Sequence, residues 1–232
     1  MQRYTVSDLA DRLVTYGRTF REPKEDILFF NWSCSTVEFL FSGTHLNVSF
    51  RADCGYEFEG LPTDPNSPKR PTWPWVAVFL DDMPMPIRKF EVASPNETWL
   101  LYQSQKPETH RIRLTKLTEN SKTFLGITAF TAEGEFLPLE KKPAKRMEIV
   151  GDSITCGYGN LVKEPTRHFF SCDEDAWQSY GAMAARKLDF EWSCVSVSGI
   201  TAVRHAGWPG EYAMAELYDY TDRVYQTKLG ME

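Results

Sequence analysis

The stretch that decides how this chain is built is RMEIVGDSITCGYGN, residues 146–160. Residues 147–150 are a short apolar run of strand character, closed by Gly151, where the lack of a Cβ lets the chain turn sharply. Further on the period changes. Residues 174–188 read as a helix with Trp177, Tyr180, Ala184 and Leu188 near one side, and residues 192–197 read as a second strand. Strand, loop, helix, strand opens a βαβ unit and implies a parallel sheet. Ligands bind such sheets off the carboxyl ends of the strands, which is where Gly151-Asp152-Ser153 stands.

Three familiar loops are excluded. A phosphate loop needs a Lys after its last glycine, and Gly157 is followed by Tyr158. The dinucleotide fingerprint lacks its third glycine, because Val162 occupies that position. The G-x-S-x-G elbow fails at Thr155. Two readings of Ser153 stay open on the residues alone: a capping turn satisfied by Asp152 and Ser153, or a nucleophile with its own N–H freed to hold an oxyanion.

Upstream the chain reads as all-β. Val37, Phe39 and Phe41, and then Leu46, Val48 and Phe50, alternate with polar neighbours, and Ser42-Gly43-Thr44 between them reads as a hairpin turn. After a loop over residues 55–74, strands are expected at 75–80 and 87–92, joined through Asp81, Asp82 and Pro84, and at 99–103, 111–117 and 124–130, with Ile112 and Leu114 inward. Seven or eight short strands with turns predict a β-sandwich or jelly roll. Ser7 is placed to cap a short helix over residues 8–16, with Leu9, Leu13 and Tyr16 on one face. Residues 134–146 read as a linker, dividing the chain into a sandwich domain, 1–140, and an α/β domain, 145–232.

Composition bounds the function. Of 232 residues, 42% are hydrophobic and 25% charged, enough to bury a core. A net charge of -6 argues against a nucleic-acid partner, and the short basic run Lys141, Lys142, Lys145, Arg146 reads as solvated linker. No segment approaches the roughly 18 apolar residues of a membrane span, and no secretory leader opens the chain, so a cytoplasmic location and no membrane partner are expected. Cys34, Cys54, Cys156, Cys172 and Cys194 are scattered without a C-x-x-C pair, which suggests reduced thiols and neither a disulfide framework nor a metal site. No cofactor is indicated. Trp73 and Trp75, flanking Pro74, are either a stacking platform for a sugar ring or strand-core residues.

GDSITCGYG closely resembles the nucleophile block of the SGNH (GDSL-type) hydrolases, and with the preceding MEIV it is similar to the version in carbohydrate esterase family 2, the acetylxylan esterase-like group. YGRTF at residues 16–20, STVEFLFSGTHLNVSF, HRIRLTKLTENSKTFLGI and DEDAWQSYGAMAARKL also look like that subgroup's pattern. The resemblance implies a β-sandwich (jelly-roll) domain followed by the first part of an SGNH α/β domain with a flavodoxin-like parallel sheet. It also implies deacetylation of sugars or oligosaccharides through an acyl-serine intermediate. By it Ser153 is the nucleophile, and the N–H groups of Ser153 and of Gly199, in SVSGI, form the oxyanion hole. The family's D-x-x-H base and the Asn of its G-x-N-D-like block are expected but not found: Ser42, Pro107, Pro165 and Ala202 stand three before the four histidines, and no Asn follows Asn160. The chain is therefore expected to be a C-terminally truncated member, active only with a base supplied from elsewhere or else a carbohydrate-binding or inactive fragment. His205 and His168 read as loop-packing residues rather than substitute bases.

Overall fold

The computed structural model describes residues 1–60, 64, 66–121, 123–140, 145–164, 168–204 and 212–222. Its strands are β1 (Gln2–Thr5), β2 (Val14–Tyr16), β3 (Phe20–Glu22), β4 (Ile27–Phe29), β5 (Thr36–Asp53), β6 (Gly55–Phe58), β7 (Lys69–Thr72), β8 (Trp75–Leu80), β9 (Arg88–Glu91), β10 (Asn96–Lys116), β11 (Phe124–Leu137), β12 (Lys145–Gly151) and β13 (Phe190–Ser196). The helices α1 (Ser153–Cys156) and α2 (Tyr180–Lys187) fall between β12 and β13, and α3 (Met214–Leu217) follows.

Nine strands form one antiparallel sheet, in the order β3-β4-β11-β5-β10-β8-β9, with β1 added to β11 and β2 to β5. The sheet curls around a single apolar cluster that includes Val37, Phe39, Phe41, Leu46, Val48, Phe50, Ile112, Leu114 and Phe130. All-β character and the paired strands at 75–80 and 88–91 are as expected from the alternation. Among the described residues before β12 the short strands do not divide into two large sheets, and only the pair β6-β7 stands apart from the nine. β5 runs unbroken through the expected hairpin at residues 42–44, and β10 merges the expected strands at 99–103 and 111–117.

The cause lies in parity. Inward residues of β5 are odd up to Phe41 and even from Leu46, a slip that either a turn or a bulge produces. Here it is a bulge, with register shifts opposite it in both β10 (between Gln103 and Glu108) and β11 (between Glu133 and Gly134). The expected helix over residues 8–16 is also absent. Val6–Leu13 is a set of turns, the Ser7 hydroxyl donates to Asp26 at 2.8 Å, and Val14–Tyr16 pairs with β5. Sheet pairing overrides a weak local propensity.

β12 and β13 pair in parallel from Lys145↔Phe190 to Gly151↔Ser196, the strand pair expected of a βαβ unit. The expected linker is shorter than its composition suggests, because β11 extends to Leu137 and β12 begins at Lys145; Lys141 and Lys142 lie outside the described residues. Of the helix expected over 174–188 only the second half forms, after a 3-10 turn at Ala176–Gln178. Its buried side is Gly181, Ala182 and Ala185, while Tyr180 and Leu188 are more than half exposed. Gly181 sets this rotation, since a Cβ there would lie 2.8 Å from Ile149 Cδ1 on β12.

Three apolar clusters seat the α/β segment on the sheet: Trp32 with Val195, Met214 and Leu217; Cys34 with Ala176, Ala182 and Cys194; and Phe79 and Leu117 with Trp177.

Candidate active site

Off the carboxyl end of β12, Gly151 gives way to a single helical turn that begins at Ser153. A Cβ on Gly151 would sit 2.0 Å from Thr155 Oγ1, so only glycine lets Thr155 fold back over the strand end. Asp152 caps the turn by accepting from Ile154 N–H at 3.0 Å, and Gly157, left-handed at φ 74°, closes it. Asp152 is thus spent on capping. The Ser153 hydroxyl, in contrast, is half-buried and makes no hydrogen bond to a described residue.

Beside it, β13 ends in a turn closed by Ile200 N–H donating to Val197 O at 3.2 Å, with Gly199 at φ +76° in the third position. This is type II geometry, which asks for glycine by backbone sign. No described residue lies within 4 Å of where a Gly199 Cβ would be. Val197 N–H donates to Gly151 O at 3.4 Å, joining the two turns at one sheet edge. The N–H groups of Ser153 and Gly199 have no acceptor among the described residues. The structure thus places the two residues picked out in sequence on turns that follow the ends of adjacent strands.

Beneath the edge lies a polar layer that sequence reading missed. Lys116, at the end of β10, is fully buried and donates to Thr118 O at 2.7 Å and Glu119 O at 2.8 Å. Burial pushes its pKa down to about 8, against the pull of Glu174, Glu119 and Asp222. Glu119 reaches Ser198 N–H at 2.6 Å. Burial, followed by Glu119, holds the Cys156 thiol well above its usual range, an unreactive state. Asn31 and Asn120 both donate to Asp222. Charged residues read as surface residues from sequence, so nothing marked these as interior.

The lysine carries a pH consequence. Its folded pKa lies below its unfolded value, so the unfolded chain binds the proton more tightly, and the cost of charging Lys116 fades as pH rises from about 8 toward the ordinary ~10.4. Cys34, Cys156 and Cys194 are shifted upward by burial and act oppositely above about pH 8.5. A comparison with Lys116→Met cancels the thiols. From pH 7 to 9.5 the stability of the parent relative to that variant is expected to rise by about 2 kcal/mol, read from urea midpoints. A flat difference would refute the shift.

The histidines are placed elsewhere. His168 shares a 2.8 Å hydrogen bond with Phe58 O and packs on Phe169 and Phe170, as loop packing predicts. His110 contacts Asp81 at 2.9 Å and Glu108 at 3.4 Å; burial opposes its charge, but these carboxylates outweigh it and raise its pKa. His45 lies in mid-β5, and His205 falls outside the described residues. Trp73 packs against the main core and Trp75 against the Phe79–Trp177 cluster, both half-buried, which favours the strand-core reading. A cavity of about 500 Å³ opens at the far end of β12 and β13, but its charges are turned on one another, Arg113 on Glu38 and Arg186 on Trp177 O.

The fold is shared with known proteins. The family model Carbohydrate esterase 2 N-terminal matches residues 15–139. The chain belongs to carbohydrate esterase family 2. Among curated relatives, the cellulase/esterase CelE of Acetivibrio thermocellus is 30% identical over 192 residues, covering 82% of this chain and 21% of that protein. An acetylxylan esterase / glucomannan deacetylase of Cellvibrio japonicus is 31% identical over 134 residues, 54% of this chain and 37% of that protein. A family-two carbohydrate esterase from Clostridium thermocellum, solved in complex with cellohexaose, superposes with TM-score 0.75 at 26% identity, covering 92% of this chain and 59% of that one. An acetyl xylan esterase from the rumen bacterium Butyrivibrio proteoclasticus, 19% identical, shares the fold with TM-score 0.79 over 99% of this chain and 59% of its own. The family-2 chain described here therefore spans about a fifth to two fifths of these curated relatives and under two thirds of the solved ones.

Proposed function

We propose that this chain carries the nucleophile of a carbohydrate esterase that removes acetyl groups from acetylated sugars or oligosaccharides. In this reading residues 1–140 are the β domain and 145–232 the first part of an SGNH hydrolase domain. Ser153 Oγ attacks the acyl carbon, the N–H groups of Ser153 and Gly199 hold the oxyanion, and the alcohol leaves an acyl-serine for water to cleave. The observation that carries the reading is the shared sheet edge: a hydroxyl and two N–H groups, off adjacent parallel strands, that have no partner among the described residues.

Removal of the Ser153 proton falls to a group outside the described residues, since His110 and His168 are engaged elsewhere. A donor pair still accelerates attack without a base, by roughly 10³-fold. At pH 9, where hydroxide can take the proton, p-nitrophenyl acetate is expected to leave one acetyl group on Ser153, mapped by peptide mass spectrometry. Ser153→Ala is expected to abolish acetylation of that peptide. If acetyl appears only on lysine and cysteine side chains, the nucleophile assignment fails.

The absence of an assigned base among the described residues favours one alternative, a non-catalytic carbohydrate-binding role. Cellohexaose binding that persists while Ser153 resists acetylation would select it.

A further inference from the structure

We propose that Glu119, contributed by the connection between β10 and β11, is the positioning residue for the oxyanion turn at residues 197–200. The proposal rests on the esterase reading for its purpose but not for its geometry. Val197 and Ile200 pack at the margin of the Trp32 cluster, but no described residue lies within 4 Å of where a Gly199 Cβ would be, so packing does not fix the middle of the turn. Beyond the Val197 N–H to Gly151 O bond at the strand end, two hydrogen bonds act on it: the closing Ile200 N–H to Val197 O, and Ser198 N–H to Glu119 Oε2 at 2.6 Å. The first leaves the central peptide able to flip, because a glycine in the third position tolerates either sign of φ. That flip would reorient the Gly199 N–H.

The second bond is charge-assisted and sits in a dry setting, since Glu119 is only 1% exposed. It fixes the peptide on which the turn begins. The same carboxylate oxygen lies 3.9 Å from Cys156 Sγ, at the end of the helical turn that Ser153 opens. Cys156 Sγ in turn is 3.2 Å from Ser196 Oγ at the end of β13. One oxygen from the β domain is therefore wedged between both turns of the candidate site.

The arrangement is costly, which is a further reason to assign it a role. Glu119 Oε1 is buried without a hydrogen-bond partner among the described residues, and a carboxylate in that state is penalised unless its other contacts compensate. The ammonium group of Lys116, held by Thr118 O and Glu119 O, supplies the nearby positive charge. An apolar side chain would fill the same space without this penalty, but it would not accept from Ser198.

Amide hydrogen exchange of the 232-residue chain tests the anchor directly. Glu119→Ala is expected to speed exchange at Ser198 by roughly tenfold or more, while Glu119→Gln, which keeps an acceptor, should restore most of the protection. The β-domain amides of both variants report whether the fold is intact. In parallel, the rate of Ser153 acetylation by p-nitrophenyl acetate at pH 9 is measured against ester concentration. Glu119→Ala should lower the maximal rate roughly 10- to 100-fold with the half-saturating concentration unchanged, and Glu119→Gln should fall between. Unchanged Ser198 exchange in Glu119→Ala would overturn the anchor, as would faster exchange with an unaltered acetylation rate. If the parent chain is never acetylated at Ser153, the esterase reading falls, and the exchange result alone decides the anchor.

Discussion

Trp32→Ala is expected to remove about 4 kcal/mol of stability and to loosen the α/β segment from the sheet. Trp32 is fully buried between β4 and β5 and packs against Val195, Met214 and Leu217, with Val197 and Ile200 at the margin. Its indole N–H donates to Thr221 O at 2.7 Å. Truncation deletes a large apolar surface and opens a cavity, and it leaves a carbonyl short of its donor. Because Val197 and Ile200 belong to the turn that carries Gly199, the same variant should also slow Ser153 acetylation. Trp32→Phe keeps most of the volume and loses the hydrogen bond, so about 2 kcal/mol is expected. Urea unfolding followed at two wavelengths measures both, and a loss under about 1 kcal/mol for the alanine variant would show that Trp32 does not join the two parts.

What the sequence disclosed depended on whether a pattern had one structural solution or several. β12 and β13 were legible because each is a short apolar run bounded by turn residues, and Gly151-Asp152-Ser153 was legible because it follows the first. The slip in β5 was not, since an odd-to-even change in the inward residues is common to turns and bulges, and only the pairing partners choose between them. Nor was the seat of the α/β segment. Asn31, Ser33, Glu119 and Lys116 are fully or almost fully buried, and polar residues betray interior placement only through partners distant in sequence. Helix α2 shows a middle case: its existence was legible, but its buried stripe was set by the contact of Gly181 with Ile149.

The same distinction explains how the site is built. The Ser153 and Gly199 turns depend on local features, a strand end and a glycine, and such features recur wherever a chain turns. Their alignment depends on parallel register between β12 and β13, and on a carboxylate delivered from the β domain. A chain carrying only the local motif would have the turns without the shared edge.

The β domain that delivers this carboxylate depends on one crossing point, and Gly43→Ala is expected to disrupt it. Alanine in place of glycine within a strand ordinarily stabilises by about 0.5 to 1 kcal/mol. Here the expected sign is reversed. A Cβ on Gly43 would lie 2.3 Å from Glu133 O, 2.6 Å from Phe41 Cζ and 2.7 Å from Gly134 Cα. The reciprocal contact is as close, with a Gly134 Cβ 2.2 Å from Ser42 O. Two of the Gly43 contacts are backbone atoms, so no rotamer change relieves them, and β5 must part from β11 at the bulge. A strand that escaped by slipping one residue would turn Leu46, Val48 and Phe50, all fully buried or nearly so, toward the wrong face. The expected loss is about 3 kcal/mol, measured by urea unfolding, with faster amide exchange in Leu46–Phe50 than in Val37–Phe41. A variant as stable as the parent would show that the two backbones can separate at this point without cost, and that the bulge does not set the register.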